Sequence, residues 1–474
     1  MYQCDNYDHQ MLADRVRQYQ NQTERFLAGK LSESEFLPLR LQNGLYVQRL
    51  APMLRVAVPY GMLSSAQLRK LAFIASHFDK GYGHFTTRQN IQFNWPSLSE
   101  VPDILKHLAE VEMHAIQTSG NCIRNTTTDQ FAGVAVDELE DTRPYCEIIR
   151  QWSTFHPEFA YLPRKFKIAV CGTKVDQAAT QVHDIGIYLT QNSEGLIGFR
   201  ILAGGGLGRT PVIGKEIFPF IEKQHLLSAL ESILRVYNRE GRRDNKYKAR
   251  IKILVKEIGV EEFQNKVMQE WELIKNSALL LTDDEITRCK SCFTDPNYES
   301  LADTPASLSD RLQNNILFSS WHTQNVKPHK ISGYAIVTIC FKETGVAPGD
   351  VTDRQLNHLA QLADEYSFGE VRVSHQQNIV FADVRQDKLY DFWLDLQSES
   401  MSSPNLGLLT DMICCPGGDF CALANAKSIP IAESIQREFN DFANLIDIGE
   451  INLNISGCMN ACGHHHVGNI GILG

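Results

Sequence analysis

The sequence predicts an α+β fold built from two copies of one module. A helix pattern followed by a strand pattern occurs early in the chain and recurs late at a constant spacing. The length of 474 residues, at roughly 150 residues per domain, gives about three domains. A third observation bears on chemistry: five of the 12 cysteines fall between Cys414 and Cys462.

Composition excludes several classes. A hydrophobic share of 43 % suits a packed globular protein. The 46 basic and 56 acidic side chains leave a net charge of −10, the wrong sign for a general nucleic-acid binder. The N-terminus MYQCDNYDHQ has no basic start, apolar segment or cleavage site, so it is no secretory signal. No run of about 18 apolar residues occurs, so no membrane span is expected. A cytoplasmic protein with reduced thiols is predicted, and clustered cysteines there serve metal or redox chemistry more often than bridges.

The elements follow in order. Residues 8–36 read as surface helices. From Met53, MLRVAVPYG reads as a strand, SSAQLRKLAFIASHF as a helix and HFTTRQNIQFNW as a second strand. Then LPRKFKIAV, DIGIYLT and LIGFRILAGGGLG read as strands, with helices over 215–240 and 260–278. Residues 285–330 read as a connector. Tyr334–Phe341 is an apolar strand, TDRQLNHLAQLADEY a helix and VRVSHQQNIVFADV a strand.

The late series repeats the early one. Gln67, Leu68, Leu71, Ala72 and Ala75 match Gln355, Leu356, Leu359, Ala360 and Ala363, and Gln89, Asn90, Ile91 and Phe93 match Gln377, Asn378, Ile379 and Phe381. Every pair is 288 positions apart (355 − 67). Two helices share an apolar period because both bury a stripe; one offset through helix and strand marks a duplicated module.

The sharpest feature is ICCPGGDFCALANAKS with LNISGCMNACGHHH. Five residues separate Cys415 from Cys421, and three separate Cys458 from Cys462. Four thiolates suit one iron–sulfur cubane, one ligand per iron, and Gly417, Gly418, Gly457 and Gly463 let backbone wrap it closely. The alternative is a structural Cys4 zinc site, which the five-residue gap disfavours. Cys414 is a weaker candidate by spacing. Cys289 and Cys292 form an isolated CxxC, read as unliganded. His464, His465 and His466 are neighbours and cannot easily face one ion, so a supporting or surface role is expected.

With these residues stated, the chain resembles the sirohaem-dependent sulfite and nitrite reductases. The resemblance rests on C-x5-C with SGC-x3-CG, on the duplicated module, and on MLR at 53–55, TTRQNIQF at 86–93, Asn121–Asn125, YLPRKFK at 161–167 and GGGLG at 204–208. It runs in family order from about residue 40 to the last residue. The resemblance implies a sirohaem and a 4Fe–4S cluster held by Cys415, Cys421, Cys458 and Cys462, with Cys462 shared by cluster and haem. It implies substrate-side cations at Arg55, Arg124, Lys165 and Lys167. It implies cofactor contacts from Arg88, Asn90, Gln92, Gly204, Gly205, Asn460 and Cys462. The fold it implies is two pseudo-symmetric repeats of a ferredoxin-like and sirohaem-binding module. In residues, these are a ferredoxin-like half over 1–140 pairing with 310–395, a first sirohaem-binding domain over 141–285, and a 4Fe–4S and sirohaem domain over 400–474.

Physical reasoning fits these roles. Sulfite and nitrite are small anions whose six-electron reduction consumes protons, so fixed cations are needed to bind and to deliver them. Lys165 and Lys167 are two apart on an expected strand and share a face. Arg88, Asn90 and Gln92 would likewise share one face of the TTRQNIQF strand. Each also has a plain reading, as solvated charge, strand surface or, for Gly204–Gly206, a turn. In the second copy Gln376 and Val380 replace Arg88 and Gln92. The first copy is thus expected to supply the charged contacts and the second the cluster cysteines, with the cofactors between these halves.

One departure stands out. IGI at 470–472 resembles IGI at 185–187, but nothing after it matches LIGFRILAGGGLG or the two helices beyond. The expectation is three domains with the last incomplete, holding cofactors poorly. The activity expected is assimilatory reduction of sulfite to sulfide, with nitrite reduction to ammonia as alternative, and an inactive or zinc-stabilised fragment as the reading from another class. No GxGxxG in a βαβ setting occurs, so electrons are expected from ferredoxin or a separate NADPH-dependent flavoprotein. Arg242–Lys252 is a candidate basic patch for docking the donor, with facing the cofactor as the equal alternative.

Overall fold

The computed structural model describes residues 2–474. In chain order, the first copy carries strands β1 (Leu45–Val47), β2 (Pro52–Val56), β3 (Met62–Ser64), β4 (Tyr82–Phe85) and β5 (Ile91–Phe93). Next come β6 (Thr127–Thr128), β7 (Ile168–Cys171), β8 (Ile185–Gln191), β9 (Ile197–Ala203) and β10 (Lys215–Glu222). The second copy carries β11 (Val326–Pro328), β12 (Tyr334–Ile339), β13 (Asp350–Thr352), β14 (Glu370–Val373) and β15 (Ile379–Arg385). The last strands are β16 (Ile413–Cys414), β17 (Leu453–Ser456) and β18 (Ile470–Leu473). The fold is mixed α+β with a duplicated half-domain, as expected.

The chain divides into two compact units. One is built mainly of Ile116–Gly133 and Asp137–Thr294; the other of Cys4–Ala115, Val134–Val136 and Asp295–Gly474. The first has one sheet, ordered β10-β9-β8-β7-β6. Its β6, β7 and β8 run parallel, while β9 and β10 pair antiparallel.

The other unit holds both half-modules and the cysteines. Its two large sheets are ordered β1-β2-β5-β4-β13 and β11-β12-β15-β14-β3. Each is completed by a strand from the opposite copy: β13 pairs with β4 and β3 pairs with β14. The exchange is reciprocal, and each borrowed strand leads straight into a helix. Ser64 caps the Ser65–Phe78 helix and Thr352 caps the Asp353–Tyr366 helix. In each cap the side-chain oxygen accepts from the N3 amide, and the N3 glutamine, Gln67 or Gln355, returns the bond. Leu68, Leu71, Ala72 and Ala75 are buried, as are Leu356, Leu359, Ala360 and Ala363, the i, i+3, i+4, i+7 stripe that drives a helix onto a sheet. A single core joins Leu54, Phe85 and Phe93 of the first copy with Val337, Phe381 and Phe392 of the second.

Several sequence expectations need correction. HFTTRQNIQFNW is two strands with a turn at Thr86–Asn90, and VRVSHQQNIVFADV has its turn at Ser374–Asn378. Residues 215–222 form β10 rather than a helix, and the helix spans Leu226–Glu240. MLRVAVPYG leaves the strand after Val56 and closes in a 3-10 turn at Pro59–Gly61. The 285–330 connector contains helices Ala306–Asn314 and Ile316–Asn325.

Candidate active site

The cysteines sit on a third, parallel sheet in this unit, ordered β16-β17-β18. Cys414 is inside β16, buried among Leu408, Met412, Leu453 and Ile455. It is a core residue, and the turn away from the sheet begins at Cys415. Cys421 lies on the turn that follows, where its N–H donates to the Gly417 carbonyl. Cys458 and Cys462 lie on the loop leaving β17. The two loops are stitched together, since Asn425 and Ala426 both donate N–H to the Gly457 carbonyl. A Cβ on Gly457 would meet the Ala426 oxygen and the Gly417 Cα at 2.7 Å, so glycine is needed where the loops cross.

Sulfur atoms here take hydrogen bonds from the chain. Gly457 N–H donates to Cys415 Sγ at 3.2 Å, and Asn460 Nδ2 donates to Cys458 Sγ at 3.4 Å. Ser428 Oγ donates to the Cys415 carbonyl at 2.6 Å. Burial raises the thiol pKa of Cys415, and the nearby Cys462 raises it further. Burial raises Cys421 too, with Cys462 and Cys458 adding to it. Thiols that raise one another stand within electrostatic reach, the arrangement a cationic iron–sulfur core reverses by binding all as thiolates. Among the described residues, no three His, Cys, Asp or Glu side chains are close enough to share one ion.

The polar face of the first copy borders this region. Arg55 on β2 pairs in register with Gln92 on β5. Its Nη2 donates to Gln92 Oε1 at 2.9 Å, its guanidinium lies 5.6 Å from the Tyr46 ring centre, and Gln92 Nε2 donates to Asn94 Oδ1. The expectation that Arg88, Asn90 and Gln92 share a strand face is corrected. Only Gln92 is on a strand; Arg88 and Asn90 lie in the Thr86–Asn90 turn, where Gln89 has φ +57°. Asn90 Oδ1 accepts the Val58 N–H at 3.0 Å, so that atom fixes the fold. The turn of the first copy touches the cysteine loop here, because Thr87 Oγ1 donates to the Cys462 carbonyl.

The other unit carries Arg124, Lys165 and Lys167. Arg124 Nη1 donates to the Thr118 carbonyl at 2.7 Å, and Nε and Nη2 donate to the Gly120 carbonyl. Lys165 and Lys167 precede β7 rather than lying on it, but alternate with buried Phe166 and Ile168 and so keep a common side. The Lys167 N–H donates to Asp184, a buried carboxylate held by Arg250. Gly204 donates its N–H to the Asp184 carbonyl. A Cβ on Gly205 would meet the His183 oxygen at 2.3 Å. These glycines serve close packing. Buried Lys252 donates to the Leu207 and Thr210 carbonyls, and burial with Arg250 nearby lowers its pKa to about 8. Arg250 and Lys252 thus tie down the glycine loop, a structural role beside the docking and cofactor-facing readings of the Arg242–Lys252 stretch.

Comparison with known proteins decides the family. Residues 119–275 match "Nitrite and sulphite reductase 4Fe-4S domain", and residues 48–111 and 343–399 match "Nitrite/Sulfite reductase ferredoxin-like half domain". The chain belongs to the nitrite and sulfite reductase family. Ferredoxin–nitrite reductase of Arabidopsis thaliana is 28 % identical over 439 residues, covering 89 % of this chain and 67 % of that protein. Sulfite reductase [ferredoxin] 2 of Mycolicibacterium paratuberculosis is 27 % identical over 433 residues, covering 89 % and 69 %. The structure of Mycobacterium tuberculosis NirA matches with a TM-score of 0.74 at 23 % identity, over 91 % of this chain and 76 % of that one, and shares the fold.

Members of this oxidoreductase family carry a sirohaem and a 4Fe–4S cluster. The donor set here fits the cluster: four thiols on two interlocked loops, with N–H groups aimed at two sulfurs. The family match to the 4Fe–4S domain falls on 119–275, whereas the paired cysteines lie at 415–462. Among the described residues, no helix is long and apolar enough to cross a membrane.

Proposed function

We propose that the chain reduces sulfite to sulfide, with electrons from ferredoxin. The observation that carries the reading is the four-cysteine site on two glycine-crossed loops, tied to the polar turn of the first copy. Relatives named for sulfite and for nitrite are equally distant, at 27 % and 28 % identity. Both groups are named as ferredoxin-dependent, which supports ferredoxin over a flavoprotein donor.

In this reading Cys415, Cys421, Cys458 and Cys462 would hold the cluster, Cys462 would serve the haem as well, and Asn460 would support Cys458 through its amide. When bound, cluster and sirohaem would supply electron transfer and the centre at which the anion is reduced. The chain supplies the cations. Arg55 is a fixed fork whose direction Gln92 sets. Arg124 is pinned by two carbonyls, and Lys165 and Lys167 offer ammonium protons from one side of their segment. Arg88 serves a cofactor carboxylate. The domain limits proposed are those of the ferredoxin-like halves and the two cofactor-binding segments given above.

Steady-state kinetics with reduced ferredoxin test the assignment. A higher kcat/KM for sulfite than for nitrite is expected. The reverse order would establish nitrite as the substrate, the reading favoured by the nitrite reductases among the relatives. Iron and acid-labile sulfide should each be present, and stoichiometric zinc in their place would refute the cluster.

A further inference from the structure

Cys462 is exposed, whereas Cys458 is buried and Cys415 and Cys421 are half-buried. Packing therefore does little to fix its position. The backbone beside it is held instead. Thr87 Oγ1 donates to the Cys462 carbonyl at 2.9 Å. At the other end of the same peptide, Gly463 N–H donates to Ser456 Oγ at 3.1 Å. A Cβ on Gly463 would fall 1.9 Å from the Ile455 oxygen, so no other residue fits.

Thr87 is itself placed by the repeat. His375 occupies the same position in the second copy, 288 residues on, and its Nδ1 lies 3.0 Å from the Thr87 carbonyl. A carbonyl only accepts, so Nδ1 carries the proton in this contact. Residues equivalent under a two-fold relation touch one another only beside its axis. Both are buried, Thr87 at 9 % and His375 at 3 % exposure.

We propose that Thr87 is a positioning residue for Cys462, and that Thr87 and His375 form a seat for the cluster loop on the local two-fold axis of the repeat. The proposal rests on the reading of Cys462 as a cluster ligand. The hydroxyl fixes the peptide after Cys462, which fixes the direction of the thiolate; outer groups of this kind commonly change metal retention about tenfold.

The test uses the loaded enzyme and an iron chelator, following loss of visible cluster absorption. Thr87→Val keeps the shape and removes the donor, and should bleach about tenfold faster than the parent. Thr87→Ser restores the hydroxyl and should bleach at the parental rate. Both should unfold thermally with the parent, since the loss is local. Parental bleaching of Thr87→Val, or equal bleaching of the serine and valine variants, would overturn the proposal. If the valine variant does not accumulate, His375→Phe reads the seat from its other side; faster bleaching supports the seat and an unchanged rate removes it. Cys462→Ser separates the two levels: full iron and sulfide in that variant would defeat the ligand assignment itself, while their loss leaves Thr87 to be judged by its own variants.

Discussion

The two copies of the half-module share a backbone and differ in what their polar positions do. In the first, the Thr86–Asn90 turn directs Asn90 to a backbone N–H, and the Arg55–Gln92 pair crosses the neighbouring strands. In the second, the strand pair carries Thr338 and Val380 instead, and the turn asparagine, Asn378, joins a buried network. There Lys342, with its side chain fully buried, donates to Asn378 Oδ1, to the Gln376 carbonyl and to Asp411. Asp411 also accepts from Asn378 Nδ2 and Gly407 N–H. Gln377 accepts the Cys414 N–H at 3.0 Å. The first copy thus pairs a cation with amide groups across its strands, while the second turns its polar groups inward to brace the strand that delivers Cys415. Duplication followed by this division lets one scaffold do two jobs.

Four tests would break or sharpen that contrast. The largest effect is expected from Cys415→Ser, which should remove the cluster altogether, read as iron and sulfide content. Next, Lys342→Met leaves Asp411 as a buried, unpaired charge. It should cost about 3–5 kcal/mol in urea unfolding, with the further change Asp411→Leu recovering part of that loss. Gly61→Ala and Gly349→Ala probe the symmetric element. Their φ values are +81° and +87°, and each new Cβ would fall 2.7 Å from its nearest neighbour, the Val373 oxygen or Gln377 Nε2. Each should cost about 2 kcal/mol, and a similar loss at both would show the two copies equally strained. The smallest pair is Arg55→Met against Thr338→Val at the same strand position. The first should raise KM for the anion about tenfold, the worth of one hydrogen bond to a charged group. The second should leave KM unchanged and stability within about 0.5 kcal/mol, because Thr338 Oγ1 is buried without a hydrogen-bond partner.

The sequence made the repeat and the cysteines readable because both are local patterns. Helix period and cap residues are written in consecutive positions, so Ser65–Phe78 and Asp353–Tyr366 could be matched. The turns within TTRQNIQF and SHQQNIVF were not read, because Gln89 and Gln377 adopt left-handed φ of +57° and +63° without glycine. Reciprocal bonds stabilise these turns: Gln89 donates to the Val373 carbonyl and Gln377 to the Phe85 carbonyl. Those partners are 284 and 292 residues away, and no neighbouring residue announces them. Lys342 and Asp411 were missed for the same reason, since a lone lysine and a lone aspartate 69 residues apart carry no spacing signal. The exchanged strands β3 and β13 have three residues each, too short for a period to show.

That exchange has a consequence for how the two copies can change over time. The edge of each sheet is supplied from the other half, so a substitution in Met62–Ser64 is felt in the second copy's sheet and one in Asp350–Thr352 in the first. Either half made alone would expose an unpaired strand edge ready to join other chains. The copies are therefore free to diverge at matching strand positions, as Arg55 and Thr338 have, but their borrowed strands must drift together or not at all.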